Sequence, residues 1–470
     1  MNAPVRRELV VVGAGPAGMS AALAAHRAGV PVCLIDEREA LGGPLGVQDR
    51  GGRRANLSRD LAEAVGASRI ETRLGTVAWG LWDRVIAVVR EGHDAGLIEA
   101  ERLIVATGAY ERPVVFPGWT LPGVTTPGAT LAPGSGEPAT RARRTLVAGS
   151  GPWLPALAAR LHREGTNVVM VTEAAPRPSP RLRAKLRAAA RGAGGVLGEV
   201  LPSLAYLRRA RVPVIHSHGI ARAEGDRRVE RAVVAGVDRD WRPRPGTERP
   251  VAVDVVCVAY GLFPSTELTL LTRAAHVYAE VLGGHVPVHD EWMRTTAPGV
   301  LVAGDCAGVA GRLMAAEQGR LAGIAAAMDL GRVSRARAHT LAAPVRHRLE
   351  RLERLRRLLD GVYGPGPGIY ELATPTTVVC PCEDVTVGQV VECLRRGLGD
   401  VNAIKSATRA GMGLCQGRSC ARQVLALVAR HLAKPMSELP GFTPRPPVRP
   451  VPLGLIADER PELPRAPVID

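Results

Sequence analysis

The feature that most constrains this chain is the run Gly13-Ala14-Gly15-Pro16-Ala17-Gly18, set between an apolar stretch and an Ala-rich one. Leu9 to Val12 reads as a strand, Met19 to Ala28 as a helix, and Pro31 to Ile35 as a second strand. In a turn of this kind the first glycine permits the tight bend. The second lets a diphosphate approach the backbone, and the third lets helix and strand pack closely. The helix start adds free N–H groups and the positive end of its dipole. Asp36 follows the second strand, where a carboxylate accepts a ribose hydroxyl; Glu37 is the alternative. Gly13, Gly15, Pro16, Ala17 and Gly18 therefore form a candidate dinucleotide site with Asp36 or Glu37.

The same order of elements returns further on. Thr145 to Ala148 reads as a strand, Gly149 to Gly151 as a turn, Leu154 to Arg163 as a helix and Val168 to Val171 as a strand. Two such units predict a doubly wound α/β fold with parallel sheets. The second fingerprint is weaker. Gly149 and Gly151 are present, but Leu154 stands where the third glycine belongs and Trp153 crowds the phosphate approach. Glu173 keeps the ribose-binding position and would repel a 2′-phosphate, so NAD or another adenine nucleotide is the ligand class this site would take.

Two further motifs support the first site. Ala106-Thr107-Gly108 ends the apolar run Leu103 to Val105, and Gly304-Asp305 ends the run Gly299 to Ala303. Together with Gly13–Gly18 they resemble the FAD-binding motifs of the pyridine nucleotide–disulfide reductase superfamily. That resemblance implies FAD, with Asp305 on the ribityl chain and Gly43 of the Gly42-Gly43 pair close to the cofactor. No C-x2-C pair occurs in the chain, which argues against a dithiol reductase.

Four of the eight cysteines form a group: Cys380-Pro381-Cys382 and, 32 residues on, Cys415-Gln416-Gly417-Arg418-Ser419-Cys420. Four thiolates at this spacing point to a metal or an iron–sulfur cluster. The C-x-C pair is tighter than the C-x2-C knuckle usual in zinc sites, which favours [2Fe-2S] over zinc. The Gly-rich stretch Arg409 to Arg418 offers backbone donors to sulfur, and Lys405, Arg409 and Arg418 would balance negative charge. Cys33 and Cys257 sit in strand-like runs, and Cys393 falls in the helical segment Val387 to Leu394; all three read as core.

Composition excludes some classes. The formal charge is +16, but aromatic residues are only 3% and the basic residues are mostly dispersed arginine, so nucleic acid is not the expected partner. An acidic protein fits the charge better. No stretch reaches the ~18 uncharged apolar residues of a membrane helix. Met1 to Glu8 passes directly into a strand with no leader-like apolar region, so a cytoplasmic protein is expected.

Ordered along the chain, the segments ATGAYER (106–112), FPGWTLPGV (116–124), YGLFPSTE (260–267), GGHVPVHDEWMR (283–294) and CPCEDVT (380–386) accompany these motifs. With them the chain resembles the alpha subunits of heteromeric amine and amino-acid dehydrogenases and oxidases, the group of opine oxidase, hydrogen cyanide synthase and hydroxyproline dehydrogenase. The cysteine module resembles bacterioferritin-associated ferredoxin. The resemblance implies an FAD-binding domain in two parts (1–120 and 285–333) around a second, NAD-like nucleotide domain (121–284). A linker helix and loop (334–375), a [2Fe-2S] domain (376–435) and a Pro-rich tail (436–470) would follow. Helix is expected over Ser334 to Leu359, broken by Gly361 to Gly368. Pro44-Leu45-Gly46 departs from the family, whose members carry Gln and an aromatic there.

The resemblance further implies an electron-transfer subunit. A beta flavoprotein subunit of the amino-acid oxidase type would oxidise the C–N bond of an amino acid, imino acid or opine, and a small ferredoxin-like subunit is a further candidate partner. Contact with a respiratory acceptor at the inner face of the cell membrane would be peripheral. Two other readings stay open: a self-sufficient NAD(P)H-dependent reductase, and a redox-sensing or assembly protein. No catalytic acid or base can be assigned. His285, His289, Asp290 and Glu291 read as a domain-crossing loop, and Tyr260 and Glu267 bracket a strand-to-helix turn.

Overall fold

Val5–Val12 (β1) carries four consecutive buried residues, Leu9 to Val12, as a strand covered on both faces must. A computed structural model of the chain describes residues 3–43, 57–90, 95–131, 143–193 and 198–454. Pro44-Leu45-Gly46 lies outside them. β1 is followed by the helix Pro16–Arg27 (α1), which starts earlier than expected because Pro16 takes the first helical position, where its missing N–H costs nothing. Val32–Ile35 (β2) pairs parallel with β1, and Glu71–Arg73 (β3) parallel with β2.

On the other side of β1 lies the long strand Ala95–Val105 (β6). Its first half continues antiparallel into Val85–Arg90 (β5), which pairs with Thr76–Trp82 (β4). Its last three residues also pair parallel with Val300–Val302, so a strand from far along the chain completes the same sheet. The helix Arg312–Asp329 then packs on α1 at close range. A Cβ on Gly319 would stand 2.0 Å from the Ala17 carbonyl oxygen, and one on Gly323 2.3 Å from that of Ala21.

The second unit is a five-stranded parallel sheet. Its order runs Val214–His216, Asn167–Glu173, Arg144–Gly149, Val255–Ala259, Val124–Thr125. A three-stranded antiparallel sheet, His218–Glu224, Arg231–Gly236 and Arg249–Ala252, is inserted in it. Leu154, expected to hold helix from strand, is buried with Val147, Ala158 and Val171, while Trp153 is 43% exposed.

The linker helix runs Arg335–Tyr363 and is capped by Ser334, whose side chain accepts the Arg337 N–H. It extends past Leu359 through Gly361 and stops at Gly364-Pro365, inside the expected break Gly361 to Gly368, where proline bars a further turn. The cysteine module has its own core of Val379, Val390, Leu394, Ile404, Val424 and Val428. Cys393 is half-buried at its margin rather than inside it, because Val387, Val390 and Leu394 form the inward stripe of the helix Val387–Arg395.

Candidate functional site

Gly13–Gly18 turns at the carboxyl end of β1, and each glycine is required for a different reason. A Cβ on Gly13 would meet the Ala106 carbonyl oxygen at 2.2 Å, and one on Gly18 the Gly13 oxygen at 1.7 Å. Among the described residues nothing lies within 4 Å of a would-be Cβ on Gly15, which leaves room there for a ligand. Gly43, at φ +70°, brings its loop against the Gly15 Cα. Ala106-Thr107-Gly108 closes one flank, with Thr107 Oγ1 donating to the Ser265 carbonyl at 2.8 Å. Gly304 abuts Ala17, and its N–H donates to Gln318 Oε1 at 2.9 Å. Asp305 accepts the N–H groups of Ala310 and Gly311 at 3.0 and 3.1 Å; burial nonetheless raises its pKa.

Asp36 accepts from the Ala14 N–H at 2.5 Å and the Arg38 N–H at 2.8 Å, one to each carboxylate oxygen. Burial raises its pKa against these bonds. Glu37 points differently: it pairs with Arg449 of the tail at 3.0 Å. Arg449 also reaches the Tyr110 hydroxyl at 2.5 Å. Arg418, from the loop between Cys415 and Cys420, contacts Glu267 at 3.1 Å and lies 5.0 Å from the Tyr110 ring centroid. Tyr110, Glu267, Arg418 and Arg449 thus form one network between the first nucleotide loop, the cysteine loop and the tail. Sequence reasoning does not reach Arg449 and Tyr110. The ATGAYER segment contains Tyr110, but nothing local indicates that two arginines close on it.

At the second site, Gly149 is held by close approach to the Ala259 oxygen (2.1 Å from a would-be Cβ), while Gly151 faces open space. Glu173 accepts the Gly151 N–H at 3.0 Å and the Ala175 N–H at 2.9 Å. Burial outweighs these bonds and pushes its pKa up to about 7.

The four thiols of the module influence one another's ionisation, Cys380 and Cys420 most strongly, with Cys382 and Cys415 interacting as well. The Cys420 bond, working against burial, lowers the Cys380 thiol to about 6, and Cys420 is raised in turn. No group of three or more such donors is arranged as a metal cage among the described residues. The donor set itself fits an iron–sulfur cluster: four free thiols, two buried and one exposed, that interact with one another. The loop fits as well, since a Cβ on Gly413 would stand 2.4 Å from Cys382 Cβ, and Gly411 and Gly417 admit the Phe442 ring. Lys405 faces that ring at 5.4 Å, and Arg409 pairs with Glu383 at 2.7 Å.

The polar run before Gly304 is held by contacts within the protein. Asp290 accepts the N–H groups of Trp292 and Arg294 in its own turn, Glu291 pairs with Arg346, and His285 contacts the Leu439 carbonyl. Tyr260 is buried, and its hydroxyl accepts the Ile220 N–H. A second buried network joins the module to the first domain. Arg112 contacts Glu280 at 2.8 Å and the Tyr370 hydroxyl at 2.6 Å, and Arg422 contacts the same two groups.

Comparison with known proteins agrees with this architecture. Residues 7–331 match the pyridine nucleotide-disulphide oxidoreductase family, and residues 374–460 match the sarcosine oxidase A3 domain. Hydrogen cyanide synthase subunit HcnB of Pseudomonas aeruginosa is 33% identical over 462 residues, covering 94% of this chain and 97% of that protein. The A-type subunit of opine oxidase from Agrobacterium tumefaciens (strain Ach5) is 32% identical over 470 residues, covering 96% and 91%. Among solved structures, L-proline dehydrogenase from P. horikoshii superposes with a TM-score of 0.68 at 23% identity, over 96% of this chain and 80% of that one, a likeness of fold. No helix among the described residues is long and apolar enough to cross a membrane. The chain belongs to the pyridine nucleotide-disulphide oxidoreductase family and is an FAD-dependent oxidoreductase subunit of the opine oxidase and HcnB type.

Proposed function

We propose that this chain is the electron-transfer subunit of a heteromeric oxidoreductase for amino acids, imino acids or opines, with FAD at Gly13–Gly18 and a [2Fe-2S] cluster on Cys380, Cys382, Cys415 and Cys420. A partner flavoprotein subunit of the amino-acid oxidase type oxidises the C–N bond. The names of the relatives support a multi-subunit enzyme, since both are subunits. The observation that carries the reading is Arg418: it sits inside the Cys415–Cys420 loop, donates to Glu267, and lies against Tyr110, two residues after Gly108 of the first site.

The flavin, when bound, supplies the exchange between two-electron and one-electron chemistry, and the cluster one-electron transfer. The chain's own residues set position and charge. Gly15 and the start of α1 receive the diphosphate, Asp36 or Glu37 the ribose, and Gly43, Ala106, Thr107, Gly304 and Asp305 flank the remainder. Glu173, Gly149 and Gly151 are assigned to NAD or another adenine nucleotide. The domain limits proposed are those read from the sequence, with the FAD-binding domain interrupted by the second nucleotide domain. A cytoplasmic location with peripheral contact to a membrane acceptor completes the reading, and a small ferredoxin-like subunit is a further partner.

Anaerobic spectroscopy of the purified chain, with flavin and iron quantified and NADH added alone, tests it. Flavin and two irons per chain, unbleached by NADH and without amine turnover, are expected. Prompt bleaching by NADH replaces this reading with a self-contained reductase. Iron absent from protein prepared without oxygen removes the cluster.

A further inference from the structure

From Leu439 to Gly454 the chain crosses from the cysteine module onto the first domain. Thr443 donates its N–H to Asn402 Oδ1 at 2.9 Å, and Phe442 fills the space left by Gly411 and Gly417. Val448 is buried in the first domain's core and donates its N–H to the Trp79 carbonyl at 2.8 Å. Arg449 then ties to Glu37 and Tyr110. Past it, Pro450, Val451 and Pro452 form one wall of a cleft of about 940 Å³ whose other walls include Glu37, Gly75 and Val77. That cleft lies beyond the carboxyl end of β2, beside the acidic pair that follows it, where an open parallel sheet takes its ligand.

We propose that this tail segment, 449–452, is part of the first nucleotide site: it walls the adenosine end, and Arg449 is a positioning residue that orients Glu37 toward the ribose. The inference rests on the assignment of FAD to that site. Four observations support it. The volume falls within the ~300–1,000 Å³ of small-molecule sites. Both oxygens of Asp36 already accept backbone N–H groups, whereas Glu37 lines the cleft. Arg449 holds that second carboxylate in place through a guanidinium that is itself fixed by the Tyr110 hydroxyl, with only 18% of its side chain exposed. Adenine, a flat and weakly polar ring, matches the apolar part of this lining, Pro450, Val451, Pro452, Val77 and Val89, while Glu39 and Arg90 give the cleft its charged part.

The test is binding of FAD, ADP and FMN to flavin-stripped full-length protein. Arg449→Met keeps the aliphatic stem but removes the tether, and Val451→Trp fills the cleft while leaving Arg449 intact. Each variant is expected to weaken FAD and ADP by about tenfold or more, to leave FMN, which lacks adenosine, unchanged, and to keep the original iron content. Arg449→Lys should restore part of the loss. Unchanged FAD and ADP affinity in both variants overturns the proposal while the flavin assignment stands. A loss shared equally by FMN overturns it too. An unaltered chain that binds no FAD overturns the assignment on which it rests.

Discussion

Gly15 and Gly18 belong to one fingerprint but should fail in opposite ways when given a methyl group. At Gly18 the new Cβ would stand 1.7 Å from the Gly13 carbonyl oxygen and 3.4 Å from Val11. Neither neighbour can yield, because Gly13 is itself pinned against Ala106 and Val11 lies in the buried half of β1. The helix must move off the strand, at a cost of about 3 kcal/mol. At Gly15, φ is −75° and nothing among the described residues lies within 4 Å, so alanine introduces neither strain nor clash. Its effect on the stability of the flavin-free chain should stay within about 1 kcal/mol. The methyl does occupy the space a diphosphate needs, and FAD affinity should fall by about a hundredfold or more, close to 3 kcal/mol. Urea unfolding of the flavin-free protein and titration with FAD separate the two effects. A Gly15→Ala protein as unstable as Gly18→Ala, or one that binds FAD normally, would refute the division of roles.

Other expectations follow from the same contacts. Gly413→Ala places a Cβ 2.4 Å from Cys382 Cβ, so iron and sulfide per chain should fall by more than half while the first domain, followed by FAD titration, is untouched. Arg112→Met removes the guanidinium from a site only 3% exposed and leaves Arg422 as the remaining arginine on Glu280; the chain should lose about 2–4 kcal/mol in urea unfolding. Glu173 is held near 7 by burial, above its unfolded value. A raised carboxyl favours the folded state only while protonated. That contribution is therefore complete below the unfolded value of 4.5 and disappears as pH rises through about 7. Glu173→Gln should flatten the stability profile across that window, removing up to about 3 kcal/mol of slope between its ends; an unchanged profile would show that Glu173 ionises freely.

The parts of this molecule that can be read from the chain are those whose cause is local. Gly13 to Gly18 announces a turn because three backbone approaches within a few residues forbid side chains, and both strand–turn–helix units occur where that grammar places them. Asp290, in the polar run from His285 to Glu291, likewise bonds within its own turn. What the sequence does not show is caused at a distance. Leu154 reads as an obstruction if a glycine is assumed to be needed, yet the core around Val147 and Leu161 has room for it. The helix reads as ending at Leu359 but continues to Tyr363, since one glycine, Gly361, costs a long helix only about 1 kcal/mol, and it breaks at Gly364-Pro365, within the expected Gly361 to Gly368. Arg449 meets Glu37 across 412 residues of sequence, and no periodicity or motif records such a contact.

These long-range contacts share a pattern. Three of the side-chain ties from the cysteine module or the tail to the rest of the chain use an arginine: Arg418 to Glu267, Arg422 to Glu280 and Arg449 to Glu37. Arginine suits the task because its planar fork satisfies two acceptors from different elements at once. Arg418 does so with Glu267 and the Val448 carbonyl, and Arg449 with Glu37 and Tyr110. Part of the chain's basic excess is therefore consumed internally, as clamps between units, rather than displayed to a polyanion. The clamps also differ in what they should report. Arg422 sits in a buried network and its loss should be felt as instability, whereas Arg418 touches the cysteine loop itself, donating to the Cys415 carbonyl at 3.2 Å. Arg418→Met should therefore shift the reduction potential or the low-temperature EPR line shape of the cluster at full iron content, and an unaltered potential and spectrum would place Arg418 among the purely structural clamps.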